Sequence, residues 1–170
     1  RPVNLSQMSP TIFGCIFEST LNPETRRSAG MHYTSPENIH KVIDPLFLDE
    51  LKAEFAAIRD EEGTTPRKKK NALARFHAKL CSIKFFDPAC GSGNFLTETY
   101  ICLRKLEDSV LNALREGQTE LGFTDDEDRG RRVSLNQFYG IEINDFAVKV
   151  AESALWISRL KANGENLMFY

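Results

Sequence analysis

The chain has 170 residues, 41% hydrophobic, 10% aromatic and 27% charged, which is the composition of one ordinary globular domain. Those figures exclude disorder, collagen-like repeats and low complexity. With 22 basic and 24 acidic residues the formal charge is −2, so bulk charge is too weak to hold a phosphate backbone, and most of any grip on nucleic acid must lie elsewhere. Four cysteines (Cys15, Cys81, Cys90, Cys102) stand far apart, with no CxxC pair and no histidine at zinc spacing. This argues against a disulfide framework, predicts no metal site and fits a reducing cytoplasm. No signal pattern and no uncharged apolar run of about 18 residues is present, so no membrane partner is expected. The first residue is Arg1 rather than a methionine, which suggests an excised piece of something longer.

In chain order, residues 12–18 predict a short buried helix and residues 21–30 a polar loop. A helix then starts with Thr34 or Ser35 as cap, Pro36 in the first turn and Glu37 completing a capping box with Thr34. Ile39, Val42, Ile43 and Leu46 follow at helical spacing, and Pro45 predicts a kink or restart. Residues 46–59 continue with Leu48, Leu51, Phe55 and Ile58 on one face. A charged connector spans 61–70, followed by a helix over 71–80 that carries Leu73, Phe76, His77 and Leu80. Residues 81–86 predict a strand, ended by Asp87-Pro88-Ala89-Cys90-Gly91-Ser92-Gly93. From Asn94 a helix runs to about Glu116, with Gly117 as its C-cap. Residues 119–132 read as an exposed loop and 137–143 as a second strand. Asn144 caps a last helix with Phe146, Ala147, Val150, Ala151, Ala154, Leu155 and Ser158 facing inward. The order is that of an α/β fold with a parallel sheet. Parallel sheets rarely stand on two strands, so the expectation is an N-terminal helical segment (1–70) and a partial, truncated sheet domain (71–170).

The chemistry concentrates where the first predicted strand meets two glycines and a helix. Gly91 and Gly93 permit a tight turn and close backbone approach, and the helix N-terminus offers free N–H groups. A P-loop requires Gly-Lys-Ser/Thr, but Asn94 follows Gly93. A dinucleotide fingerprint wants a small residue where Leu96 stands, and has no aspartate at the head of its loop. A carboxylate at Asp87 would repel a pyrophosphate but accept the ammonium of an amino-acid-like cofactor, which favours S-adenosyl-L-methionine. Glu142, ending the second strand, is placed to accept from two ribose hydroxyls.

Residues Asp87 to Leu96 resemble motif I of the amino-group DNA methyltransferases, and Tyr139-Gly140-Ile141-Glu142-Ile143 resembles their motif II. Ser28 to Ile39 is similar to motif X, which precedes motif I in the adenine-N6 group of this order. The similarity extends from about Ile12 to Leu160 and looks most like large restriction–modification methyltransferases of type IIG character, with a Rossmann-like class I sheet. The resemblance implies that Tyr33 and Thr34 line the methionine end of the cofactor and that Asp87 holds its ammonium. It further implies that Pro88, Ala89, Cys90, Gly91 and Gly93 form the cofactor loop, Glu142 takes the ribose and Ile143 packs on the adenine. The family's catalytic Asn/Asp-Pro-Pro-Tyr/Phe motif is absent, since Pro-Pro occurs nowhere in the chain. It is expected after Tyr170, so no catalytic residue is assigned and the chain alone is expected to be inactive.

Plainer readings stand beside these. His32, His40 and His77 read as surface or packed histidines, and Cys90 as a small residue filling the turn. Arg67-Lys68-Lys69-Lys70 reads as a solvated linker rather than a phosphate contact, and Asp125 to Asp128 as an exposed loop. The expected partner of the parent protein is double-stranded DNA, held through regions outside this chain. Unpaired sheet edges are expected to promote self-association. Two alternatives remain: a methyltransferase for another amino group (cytosine-N4, ribosomal RNA or protein glutamine), and a non-catalytic cofactor-binding module of an assembly.

Overall fold

The computed structural model describes residues 34–116, 130 and 132–164. The expected helix at 12–18, the loop at 21–30, Tyr33, Gly117 and the acidic run at 125–128 lie outside the described residues. Helix α1 (Pro36–Ile43) is capped by Ser35, whose hydroxyl accepts from the Asn38 N–H, with Pro36 supplying a preset φ in the first turn. The cap is therefore Ser35, and the Thr34–Glu37 box is not the device used. The kink expected at Pro45 takes the form of a π-helical turn, Asp44–Leu48. Pro45 has no N–H, and its ring crowds the preceding turn, so the chain widens until the Asp49 N–H reaches the Asp44 carbonyl. Helix α2 (Asp49–Asp60) continues directly from it.

Helix α3 (Pro66–Ser82) is longer than expected at both ends. Thr65 caps it by accepting from the Lys68 N–H and Pro66 opens it, so Arg67 to Lys70 form a solvated first turn and not a linker. Cys81 and Ser82, expected in a strand, extend the helix. Leu80, one turn beyond Phe76, faces the core, and the Ser82 hydroxyl and the Ile83 N–H both close onto the Lys79 carbonyl. Strand β1 is only Phe85–Asp87. Helix α4 (Asn94–Glu116) follows the glycine loop. A 3₁₀ turn (Leu135–Gln137) leads into β2 (Phe138–Gly140), so Gln137 precedes the strand instead of opening it. Helix α5 (Asp145–Ala162) is capped by Asn144, whose side chain accepts from the Phe146 and Ala147 N–H groups.

β1 and β2 pair in parallel, with Phe85 opposite Phe138, Phe86 opposite Tyr139 and Asp87 opposite Gly140. This is the two-stranded parallel sheet with a helical crossover that the element order predicts. The strands' period of two sends Phe85 and Phe138 inward, stacked with ring centroids 5.3 Å apart, and Tyr100 meets Phe138 edge-on at 5.5 Å. Phe86 and Tyr139 point the other way and are exposed. The main core joins Leu51 and Phe55 of α2, Leu73, Phe76 and Leu80 of α3, and Leu103, Leu106 and Val110 of α4. A second cluster seats Ile39 and Ile43 of α1 against Phe95 and Cys102 of α4. The predicted inward face of α5 holds for Ala147, Val150, Ala151, Ala154 and Ser158. Phe146, expected inward, is 45% exposed, because the cap at Asn144 leaves it in the first turn outside the α4–α5 seam. No helix among the described residues is long and apolar enough to cross a membrane.

Candidate functional site

The parallel pairing of β1 and β2 sets their carboxyl ends side by side, and the two chains stay joined beyond the strands. The Ile141 N–H donates to the Asp87 carbonyl and the Cys90 N–H to the Ile141 carbonyl, each at 3.0 Å. The loop between Asp87 and Asn94 is thus strapped to the end of β2. Its turn closes through the Gly93 N–H on the Cys90 carbonyl at 2.8 Å. Gly91 and Gly93 have φ of +53° and +78°, the left-handed region where a side chain costs energy. A Cβ on Gly93 would also lie 2.8 Å from the Cβ of Ala151, so the glycine lets the loop lie against α5. Gly140 serves the same end from β2, where a Cβ would lie 2.7 Å from the Cys90 sulfur.

Two carboxylates organise this turn. Glu142 reaches across from β2, its Oε2 accepting from the Gly91 N–H at 2.9 Å and its Oε1 from the Asn144 N–H at 2.9 Å. Asp87 Oδ1 accepts from the Ala89 N–H at 3.1 Å, fixing the loop's first bend. Both side chains are half-buried, and a carboxylate has about four lone-pair sites, so each retains acceptor capacity. Burial, with the charges of Asp87 and Glu142 beside it, pushes the Cys90 thiol up from its ordinary pKa. Cys90 is a half-buried filler of the turn in surroundings that disfavour its thiolate. Pro88 and Ala89 are exposed at the loop's outer edge, and Ile143, just past Glu142, is 93% exposed.

Thr34 is half-buried at the start of α1. Its helix packs through Ile39 and Ile43 on Phe95, the second residue of α4, so α1 is carried by the helix that leaves the glycine loop. A cleft of about 260 Å³ between the π-turn and the loop is lined by Leu46, Phe47, Phe86, Asp87, Pro88 and Phe95. Asp87, Pro88, Ala89, Cys90, Gly91, Gly93, Glu142 and Ile143 thus belong to one neighbourhood. Tyr33 lies outside the described residues.

A family profile described as the MmeI DNA-methyltransferase domain matches residues 62–168. The chain belongs to this family. The MmeI-type domain is 44% identical over 163 residues to DNA methyltransferase A of Bacillus subtilis (strain 168), covering 96% of this chain and 17% of that protein. The solved structure of the type IIL restriction–modification enzyme MmeI in complex with DNA superposes with a TM-score of 0.78 at 44% identity, covering 93% of this chain and 20% of that one. The chain therefore spans about a fifth of the length of these relatives. The resemblance to restriction–modification DNA methyltransferases drawn from the motifs is the relationship found.

Several polar residues that hold this MmeI-type domain together were not singled out by motif. Gln137 is buried, its amide donating to the Leu80 and Ile83 carbonyls at 2.8 Å each while its Oε1 accepts from the Ser134 N–H. It thereby ties the start of β2 to the end of α3. Glu107 is fully buried on α4, its Oε1 taking the His77 Nε2 at 2.8 Å and the Arg132 and Val133 N–H groups at 2.6 and 3.0 Å. Burial pushes its carboxyl pKa up, but those hydrogen bonds and the Arg104 charge together bring it below the ordinary value. His77 is thus a packed histidine, as expected. Spacing along the chain also conceals two trios of ligating side chains, His40–Glu98–Cys102 and His77–Cys81–Glu107, each with its ligand atoms within 4.8 Å of one another. The histidines share no metal spacing along the chain, but helix packing brings together residues that are 58 and 30 positions apart.

Proposed function

We propose that this chain is the cofactor-binding part of an S-adenosyl-L-methionine-dependent DNA methyltransferase of a restriction–modification system, acting on the N6 amino group of adenine. The observation that carries the reading is the strapped pair of strand ends, with Glu142 held on the Gly91 N–H beside Asp87. The residues present fit such a cofactor. Two carboxylates with spare acceptor capacity suit an ammonium and a pair of ribose hydroxyls, and Gly91 leaves open space beside the loop where a side chain would stand. Ile143 offers an uncovered apolar side chain to a flat base, a burial contributing about 1.5–3 kcal/mol.

In this reading Asp87 binds and orients the amino-acid end, the Cys90–Gly91 backbone approaches the middle, and Glu142 and Ile143 hold the nucleoside. Thr34, with Tyr33 before it, closes the methionine side. The bound cofactor brings an electrophilic methyl carbon on a sulfonium, so the protein contributes position and electrostatics. Double-stranded DNA is the proposed partner of the whole protein, with the target base extruded from the stack. Because these residues contain no Pro-Pro motif, we expect no methyl transfer from residues 1–170 alone.

Calorimetric titration with S-adenosyl-L-methionine tests the site. Wild-type protein should release heat that Asp87→Ala and Glu142→Ala largely abolish while the far-ultraviolet circular dichroism of the variants stays unchanged. Equal heats from all three would reject the assignment.

A further inference from the structure

Helix α1 sets His40 opposite Glu98 and Cys102, which lie four residues apart on one face of α4. His40 Nε2 stands 3.4 Å from Glu98 Oε1 and 3.8 Å from Cys102 Sγ, and that sulfur is 3.9 Å from Glu98 Oε1. Three different ligand atoms therefore mark the corners of a nearly equilateral triangle. A tetrahedral ion with nitrogen and oxygen at about 2.0–2.1 Å and sulfur at about 2.3 Å needs ligand separations of roughly 3.3–3.6 Å. Shifts of a few tenths of an ångström would bring the three atoms to that spacing.

We propose that His40, Glu98 and Cys102 bind a divalent transition-metal ion of the zinc type, with Asp44 as the residue that positions His40. Asp44 Oδ1 lies 2.8 Å from His40 Nδ1, the outer carboxylate that fixes the tautomer and leaves the Nε2 lone pair for a metal. A mixed nitrogen, oxygen and sulfur set suits a borderline-soft ion. The fourth position opens on a surface cavity of about 450 Å³ that Lys52, Arg59 and Lys105 also line, leaving room for water or an exogenous ligand. Glutamate and thiolate together neutralise a divalent ion, so the filled core of the site carries no net charge before these neighbours are counted.

A proton competes for the same place. The hydrogen bond with Asp44 raises the His40 pKa above its ordinary value; burial opposes it, and the Asp44 charge and then Glu98 add to the rise. That ion network needs no sulfur, whereas Cys102, which also packs against the Ile39 and Ile43 cluster, brings its sulfur within 4 Å of both His40 and Glu98. Burial and the Glu98 charge push Cys102 up to about 11, so a metal would have to displace the thiol proton as it binds. The other trio is a poorer candidate. Glu107 Oε1 there already accepts three donors inside the core. Filling the first site would pin α1, and with it Thr34, to the helix that leaves the glycine loop.

Titration with cobalt(II) as a spectroscopic probe tests this independently of cofactor binding or methyl transfer. One equivalent should produce a near-ultraviolet thiolate-to-cobalt band that zinc chloride bleaches. Cys102→Ala should remove the band, Cys15→Ala and Cys81→Ala should leave it, and Asp44→Asn should weaken binding by roughly 10–100-fold. Circular dichroism checks each fold. If Cys102→Ala does not fold, Glu98→Gln decides, and it must lose at least tenfold in cobalt affinity. Absence of the band in the wild type, its survival in Cys102→Ala, or its loss in Cys81→Ala instead would overturn the site.

Discussion

Replacing Gly93 by alanine puts a methyl group where two separate features oppose it. The backbone is at φ +78°, a left-handed conformation that costs an L-residue about 1–2 kcal/mol. The new Cβ would also lie 2.8 Å from the Ala151 Cβ and 3.1 Å from its Cα. Neither atom is the end of a flexible side chain, so α5 or the loop must move, an overpacking cost of about 1–3 kcal/mol. Alanine recovers roughly 0.4–1 kcal/mol by restricting the unfolded chain. The net loss is then roughly 2–4 kcal/mol, or about 10 °C in melting temperature for a chain of this size. Gly91→Ala provides the control. Its φ is +53° but nothing lies within 4 Å of the added atom, so only the backbone penalty applies, about 1 kcal/mol. Urea unfolding followed by circular dichroism should rank Gly93→Ala well below Gly91→Ala. In a cycle with Ala151→Gly, the double variant should be more stable than the sum of the single losses predicts. Equal losses at the two glycines, or strict additivity with Ala151→Gly, would refute the argument that close packing of the loop on α5 demands Gly93.

Glu107→Ala should cost about 3–5 kcal/mol in urea unfolding, because it leaves His77 and the Arg132 and Val133 N–H groups without their acceptor. The folded pKa of Glu107 lies below its ordinary 4.5, so its contribution is present above that pH and is lost as the pH falls through the lower folded value. The urea midpoint should therefore drop on acidification from about pH 6 to about pH 3 more steeply in the wild type than in Glu107→Gln. Gln137→Ala should lose roughly 2–4 kcal/mol, since the Leu80 and Ile83 carbonyls would lose their donor; a change below about 0.5 kcal/mol would mean that solvent replaces it. Asn144→Ala should destabilise α5 by about 1 kcal/mol, whereas Asn144→Asp should be nearly neutral by thermal melting.

The glycine loop and its turn geometry were legible before any fold was known. Asp87, Gly91 and Gly93 follow a run of aromatic residues and precede a helical pattern, and the requirement for backbone at positive φ is local, so the spacing alone exposes it. The same holds for the caps at Ser35 and Asn144 and for the Pro45 break, which depend on neighbours within a few residues. Boundaries that depend on distant partners were not legible. Strand β1 shortened to Phe85–Asp87 because a strand exists only where a second chain lies opposite, and α3 absorbed Cys81 and Ser82 as its buried face continued through Leu80. Gln137, Glu107 and His40 show no pattern along the chain for their long-range partners, which lie 25 to 62 residues away. The sequence by itself determined the glycine turn after β1 and the helices around it, because those are short-range choices of torsion and hydrogen bonding. Only the tertiary structure decided which polar side chains meet, because a buried donor finds its acceptor through the packing of helices, which sequence distance does not encode.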